Sequence, residues 1–144
     1  MDLSDFRVIP VVVLKDAARA AGLGDALVAG VLPVAEVTFR TTAAAEAIRI
    51  MSDNEGLLVG AGTVVSAAQV DQAVAAGAKF IVSPGLSRPV VEQARQHGVP
   101  VLPGAVTPSE IMAALELGLT TLKFFPAKVY GGISALKAFS APFA

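Results

Sequence analysis

Residues 34–62 read VAEVTFRTTAAAEAIRIMSDNEGLLVGAG, an apolar run, an alanine-rich stretch and a second apolar run. The two runs, Val34–Phe39 and Leu57–Gly62, have the length and composition of buried strands. Residues 43–51 between them have the composition of a helix, and Thr42 is the expected N-cap. This order of strand, helix and strand with short connections predicts a βα unit.

The same alternation extends along the whole chain. Four further apolar runs have the length of strands, and they are Val8–Leu14, Lys79–Pro84, Val99–Gly104 and Thr121–Pro126. The six runs begin about 20 to 26 residues apart, which fits repeated βα units joined by short loops. We find no linker or low-complexity segment, and therefore expect residues 1–144 to form a single domain.

Helix start and stop signals lie between the runs. Expected capping residues are Ser66 with Gln69, Ser87, and Thr107 followed by Pro108 and Glu110; the expected ends are Gly77, Gly98 and Gly118. The first helix, Asp16–Ala29, carries a weaker signal because Gly22 and Gly24 lower helix propensity.

Alternating βα units form a parallel sheet that is either doubly wound or closed into a barrel. Polar residues follow nearly every apolar run at its carboxyl end, where barrel enzymes build their active sites. A doubly wound sheet binds its ligand at one switch point, and no G-x-G-x-x-G motif follows the first run. We therefore predict an α/β fold, a TIM-type (β/α)8 barrel with about six βα units in these residues.

Composition excludes several classes of function. The formal net charge is −1 without a basic cluster, so nucleic-acid binding is not expected. The absence of cysteine excludes disulfides, zinc–thiolate sites and thiol catalysis, and the single histidine, His97, precedes a helix-ending glycine and is expected at the surface. The first residues lack the features of a signal peptide and no apolar run is long enough to cross a bilayer, so a cytoplasmic protein without membrane contact is expected.

Lys123 lies inside an apolar run, between Leu122 and Phe124. Because alternate strand residues share a face, Glu36, Thr38 and Arg40 point one way; Thr121, Lys123 and Phe125 do so in the last run. If both faces point inward, a lysine, a glutamate and an arginine meet at the barrel mouth.

That meeting suits Schiff-base chemistry. An apolar pocket and a nearby cation favour the neutral form of a lysine amine, which can attack a ketone, while a carboxylate shuttles protons and an arginine holds the substrate carboxylate. Two alternatives remain open on spacing alone: an edge lysine in solvent, and a charged network that only fills the barrel.

Six segments together resemble one enzyme family. They are VIPVVVLK (8–15), EVTFRT (36–41), GAGTV (60–64), SPGL (83–86), LPG (102–104) and LKFFPA (122–127). In this order and spacing the chain resembles the 2-dehydro-3-deoxy-6-phosphogluconate (KDPG) and 4-hydroxy-2-oxoglutarate (KHG) aldolases. EVTFRT and LKFFPA are the specific motifs.

The resemblance implies a class I aldolase that cleaves KDPG to pyruvate and glyceraldehyde 3-phosphate, as in the Entner-Doudoroff pathway of carbohydrate metabolism. Alternatives are KHG or another pyruvate aldolase of the same fold, and a truncated non-catalytic remnant. Lys123 resembles the Schiff-base lysine and Glu36 the general acid/base acting through a water. The residues that resemble substrate-binding ones are Arg40 and Thr63 for the pyruvate carboxylate and Pro84 and Phe125 for the pyruvate pocket. The resemblance implies no metal or cofactor. It implies a homotrimer that acts on small-molecule substrates.

The chain departs from the family in two ways. Lys128 stands where the family commonly has glutamate after LKFFPA, in a loop beyond the strand. Six βα units also lack the phosphate-binding loops that follow strands seven and eight of such barrels; the Gly131–Ser134 segment is a weak candidate anion site. We expect the first and sixth strands to be unpaired edges of a longer barrel of about 200 residues.

Overall fold

A computed structural model describes residues 3–143, so the first two positions and the last position of the predicted 1–144 domain lie outside the described residues. Short 3₁₀ turns occupy Leu3–Asp5 and Ala17–Arg19. The strands are β1 (Val11–Val12), β2 (Val34–Thr38), β3 (Leu58–Gly62), β4 (Ile81–Ser83) and β5 (Val101–Pro103). The helices are α1 (Ala20–Ala29), α2 (Ala44–Ser52), α3 (Ala67–Ala75), α4 (Arg88–Gln96), α5 (Pro108–Glu116) and α6 (Gly132–Phe139).

The five strands form one parallel sheet in the order in which they occur along the chain. The sixth predicted strand continues that order, since Lys123 forms a parallel bridge with Gly104. Its N–H donates to the Pro103 carbonyl at 2.9 Å, and its own carbonyl accepts from Ala105 at 2.9 Å. Sequential parallel neighbours without a switch in order are the arrangement of a (β/α) barrel, and the predicted fold class is confirmed.

The outer strands are shorter than predicted. The first pairs over Val11–Val12 instead of Val8–Leu14, and the last is the single bridge at Lys123 instead of Thr121–Pro126. Each has a ladder neighbour on one side only within residues 3–143, and Pro10 and Pro126 offer no backbone N–H to a ladder. For these two outer runs the apolar pattern predicts neither how many residues pair nor burial, since none of residues 8–14 or 121–126 is fully buried.

Helix caps agree with prediction where side chains make the bonds. Thr107 and Glu110 form a reciprocal capping box at α5 with Pro108 in the first turn, and the Ser66 hydroxyl accepts from Gln69 N–H at 3.3 Å. Two caps differ: Ala43 instead of Thr42 precedes α2, and Ser87 precedes α4 without a side-chain bond. The weak first helix begins as the 3₁₀ turn after Asp16, whose carboxylate caps it.

Two apolar layers lie on opposite faces of the sheet. The larger layer joins the outer face to the helices and includes Val37, Val59, Ile81 and, at its margin, Phe39. The smaller layer lies on the inner face towards the amino ends of the strands, and its buried members are Val34, Phe80 and Val82. The predicted alternation along β2 is confirmed, with Val37 and Phe39 towards the helices.

The inner face of β1 is exposed. Val11 pairs in register with Glu36 and so shares its face, yet Val11 and Val13 are 52% and 47% exposed.

Within residues 3–143, no helix combines the length and the apolar character needed to span a membrane.

Candidate active site

Glu36 lies in the middle of β2 with its side chain on the inner face. It is 5% exposed although it carries a carboxylate, and burial of an unpaired carboxylate is unfavourable. Its neighbours on the same face are Val34 below and Thr38 above, both buried. The strand thus changes from apolar to polar as it approaches its carboxyl end.

Lys123 supplies the partner of this carboxylate. Its Nζ lies 3.3 Å from Oε1 and 3.4 Å from Oε2 of Glu36, so the ammonium faces both oxygens. The lysine side chain keeps 28% of its surface exposed, against 6% for the glutamate. The alternative of a lysine that points away into solvent is therefore wrong: Lys123 is turned inward towards Glu36, and its side chain remains partly exposed.

Arg40 and Thr63 form a second pair just beyond the ends of β2 and β3. The Arg40 Nε–H donates to the Thr63 hydroxyl at 3.4 Å, and Arg40 is exposed. Thr63 has a φ of 56°, a left-handed conformation that is unusual for a β-branched residue. This backbone strain is local to the predicted site, as is common for residues with functional roles.

Phe125 contacts the lysine of the charged pair, and Pro84 lies at the carboxyl end of β4. The Lys123 Nζ lies 5.1 Å from the centre of the Phe125 ring, within cation–π range. Pro84 follows β4, and its carbonyl oxygen is so close to Gly104 that a β-carbon there would lie 2.1 Å from it. Because Gly104 also pairs with Lys123, the extension of β5 lies between the Pro84 backbone and the segment that carries the lysine.

Two further residues contribute to the site: Thr38, which the sequence placed on the polar face of β2, and Gly62, which the sequence did not single out. The Thr38 hydroxyl donates to the Val12 carbonyl at 3.1 Å and ties β2 to the edge strand β1. Gly62 lies against the Glu36 carboxylate, and a β-carbon added at Gly62 would lie 2.1 Å from Oε1. The GAGTV motif was the only signal for Gly62, and a strand glycine by itself does not reveal what approaches it.

His97 lies at the surface, away from the Lys123–Glu36 contact. His97 is the exposed C-cap of α4, as expected, and its Nε2 lies 2.6 Å from Asp71 Oδ1. Hydrogen bonds from His97 and Gln93 hold the pKa of Asp71 below its usual value. In residues 3–143, acidic and histidine side chains do not form a group of three or more that could hold a metal ion.

The arrangement places an amine in contact with a carboxylate, and it places an exposed guanidinium beyond the carboxyl end of the strand that carries the carboxylate. A buried carboxylate in contact with an amine can take up the proton that the amine loses when it attacks a carbonyl carbon. The guanidinium has five N–H donors, of which the Nε–H is used on Thr63.

Comparison with known proteins gives the same direction. A protein-family model described as KDPG and KHG aldolase matches residues 2–144. A relative from Treponema pallidum, 2-dehydro-3-deoxy-phosphogluconate aldolase, is 46% identical over 142 residues, which cover 98% of this chain and 68% of that protein.

Solved structures agree. The 2-keto-3-deoxy-6-phosphogluconate aldolase of Zymomonas mobilis, solved with 3-phosphoglycerate, has a TM-score of 0.89 and 47% identity, covering 94% of this chain and 65% of that one. The KDPG aldolase of Legionella pneumophila, with pyruvate captured as a covalent carbinolamine, has a TM-score of 0.89 and 42% identity, covering 94% and 66%. The chain spans about two thirds of the length of these relatives, and it belongs to the KDPG and KHG aldolase family.

Proposed function

We propose that the protein is a class I aldolase, a lyase that cleaves KDPG to pyruvate and glyceraldehyde 3-phosphate without a metal or organic cofactor. The observation that carries this proposal is the contact of the accessible Lys123 Nζ with both oxygens of the buried Glu36, at 3.3 and 3.4 Å. The Legionella relative, with pyruvate held covalently, supports the same chemistry for this fold.

The reaction follows from the positions of the two side chains. The Lys123 amine attacks C2 of the keto acid, and loss of water from the resulting carbinolamine leaves a protonated imine. Glu36, through a water, then takes the C4 hydroxyl proton, the C3–C4 bond breaks, the aldehyde leaves, and the electron pair passes to the imine as an enamine. Glu36, through a water, returns a proton to C3, and hydrolysis releases pyruvate and the free lysine.

The other predicted residues have binding roles in this proposal. Arg40 holds the substrate carboxylate, and Thr63 supports both the arginine and that carboxylate. Phe125 covers the apolar side of the pyruvate unit beside Lys123. Pro84 closes the pocket from β4.

The choice between KDPG and KHG depends on the phosphate. The family description names both substrates, and the described residues offer one weak phosphate site, where Gly131 caps α6 with φ of 95°. We expect residues 1–144 alone to turn over phosphorylated substrate poorly, because barrels of this type hold phosphate in loops after strands seven and eight.

Two measurements test the proposed function. The purified chain, with its mass verified, should exchange the methyl protons of pyruvate with solvent, because the enamine forms when the pyruvate imine loses a methyl proton. Absence of exchange would leave only the non-catalytic reading. Relative rates of cleavage of KDPG and KHG then separate the two aldolase activities.

We further propose that residues 1–144 belong to one barrel domain whose two edges, β1 and the Lys123 segment, are joined in a longer barrel by two more βα units. The exposure of Val11 and Val13 on the inner face supports this, since these apolar side chains would face such strands. Amide exchange at Val11 in the isolated chain tests it. Slow exchange there, as in a central strand, would contradict an open edge.

We also propose a homotrimer with small-molecule substrates, located in the cytoplasm. Met112 and Leu115 lie three residues apart on α5 and are 55% and 48% exposed, so a helix face rather than a strand edge is available for the contact. The mass in solution should correspond to three chains and should fall to one in Met112→Glu. A monomeric wild-type chain would contradict this proposal.

A further inference from the structure

Two glycines lie on the inner face of β3. Side chains from the segments on either side of β3 occupy the space that a side chain at each glycine would need. Gly60 faces the ring of Phe80, the residue before β4, and the nearest ring atoms would lie 2.3 Å from an added β-carbon. Gly62 faces the Glu36 carboxylate of β2, with Oε1 at 2.1 Å, Cγ at 2.6 Å and Cδ at 2.7 Å from such an atom. Contacts below 3.0 Å to a β-carbon essentially never occur in real proteins.

The register shows that the glutamate does not extend straight across the sheet. Glu36 pairs with Gly60, and Thr38 pairs with Gly62. The Phe80 ring occupies the space over Gly60, so the Glu36 side chain runs diagonally towards the carboxyl end of β3 and lies over Gly62. That direction brings its carboxylate to Lys123, whose bridge partner Gly104 lies just beyond the end of β5.

The requirement at Gly62 is one of space. Its φ lies outside the left-handed region, so the backbone itself would accept alanine. Glycines with ordinary backbone angles in strands often mark a close approach of another group. Here the approaching group is the carboxylate that the proposed function assigns to proton transfer.

We propose that Gly62 is a positioning residue for Glu36: the absence of a side chain at position 62 lets the carboxylate lie over β3, within reach of Lys123. This inference rests on the proposed function. Adding one methyl group at position 62 would displace the carboxylate while the lysine and its backbone bridge stay in place. A misplacement of about 1 Å in a catalytic group can reduce a rate by about 10²-fold.

The test compares two steps in the same protein. Pyruvate imine is trapped with borohydride and measured by mass, and exchange of the pyruvate methyl protons is followed by NMR in deuterated water. Gly62→Ala should still form imine and should lose exchange per imine formed by about 10²-fold. Gly22→Ala is the matched control, since an added β-carbon there meets nothing within 4 Å, and it should behave as wild type.

A cycle with the glutamate separates positioning from general disturbance. In the Glu36→Gln background, Gly62→Ala should cause no further loss of exchange per imine. Gly62→Ala should also lower the melting temperature, and by less than half as much in the Glu36→Ala background, where the clashing carboxylate is gone. This second readout decides the question even where the single variant is too unstable for kinetics.

The outcomes are distinct. A wild-type chain that forms no imine and exchanges no protons would overturn the proposed function, while the melting-temperature cycle would still test the contact. Exchange in Gly62→Ala within twofold of wild type would overturn the positioning role. An equal loss of melting temperature in both backgrounds would do so as well.

Discussion

The two ends of the barrel interior are built from the same strands but differ in chemistry. Towards the amino ends, the inner face carries Val34, Phe80 and Val82, all buried and apolar. Towards the carboxyl ends, β2 carries Glu36, which contacts Lys123. Two residues along β2 therefore separate a position that stabilises the fold from the position to which we assign proton transfer, which is the division expected of a barrel enzyme.

The largest expected effect on activity is at the carboxyl ends of the strands. Glu36→Gln keeps the shape of the side chain but cannot accept a proton, so imine formation should persist while exchange of pyruvate methyl protons falls by about 10²–10⁴-fold. NMR in deuterated water measures the exchange, and borohydride trapping measures the imine. Unchanged exchange would place the proton shuttle elsewhere.

The matching experiment at the amino ends of the strands removes an aromatic ring. Phe80 is 1% exposed, and Phe80→Ala should lower the free energy of unfolding by about 3–5 kcal/mol through lost burial and a cavity. Urea unfolding measures this. Phe125→Ala is the control, because the half-exposed Phe125 should cost much less stability and weaken pyruvate binding instead. Similar losses of stability in both variants would remove the distinction between the two ends.

Arg40→Lys tests the anion-binding pair. Lysine keeps the charge but loses the planar fork of donors, so pyruvate affinity should fall about tenfold, or ~1.4 kcal/mol, with the fold intact. Titration of imine formation against pyruvate concentration measures the affinity. Arg49→Lys, in the exposed ion pair with Glu46 on α2, should leave affinity unchanged. Equal affinity of Arg40→Lys and wild type would refute the role.

Two β-branched residues with left-handed backbone sharpen the same contrast. Val31 has a φ of 58° in an exposed turn before β2, and Thr63 has a φ of 56° at the site. Glycine relieves this strain, so each substitution to glycine should raise the free energy of unfolding by up to about 1 kcal/mol. Thr63→Gly should also weaken pyruvate binding because Arg40 loses its acceptor, whereas Val31→Gly should not. Thermal melting and pyruvate titration of the two variants, side by side, would reveal the difference; equal pyruvate affinities would contradict it.

The smallest effect lies outside the barrel, at the α5 cap. Hydrogen bonds from the Val106 N–H and the Thr107 hydroxyl hold the pKa of Glu110 below its usual value. A carboxyl whose pKa is lowered on folding stabilises the protein above the unfolded value of about 4.5, and that stability is lost as the pH falls through the folded value. Glu110→Gln should cost ~0.3–1 kcal/mol at neutral pH, with the difference from wild type narrowing below about pH 4. A difference independent of pH in urea unfolding would contradict the charge effect.

The sequence allowed the central features to be predicted, for a physical reason. Strands buried on both faces are continuous apolar runs, so their positions were visible, and the two-residue period placed Glu36 and Lys123 on inner faces that meet. Family membership followed from the EVTFRT and LKFFPA motifs. The roles assigned to the site residues stay predictions.

Other features depend on tertiary contacts that no local pattern records. The apolar run Val8–Leu14 does not show that only Val11–Val12 pair. The left-handed backbone of Thr63 contradicts its own conformational preference. Gly62 looks like any strand glycine until the carboxylate beside it is seen.

The most direct test of this account is the identity of the lysine that forms the imine. The chain is incubated with pyruvate, reduced with borohydride, digested and mapped by mass spectrometry. The pyruvate-derived label is expected on Lys123, and Lys123→Arg should abolish it. Labelling of Lys15, Lys79, Lys128 or Lys137 in place of Lys123 would contradict the account.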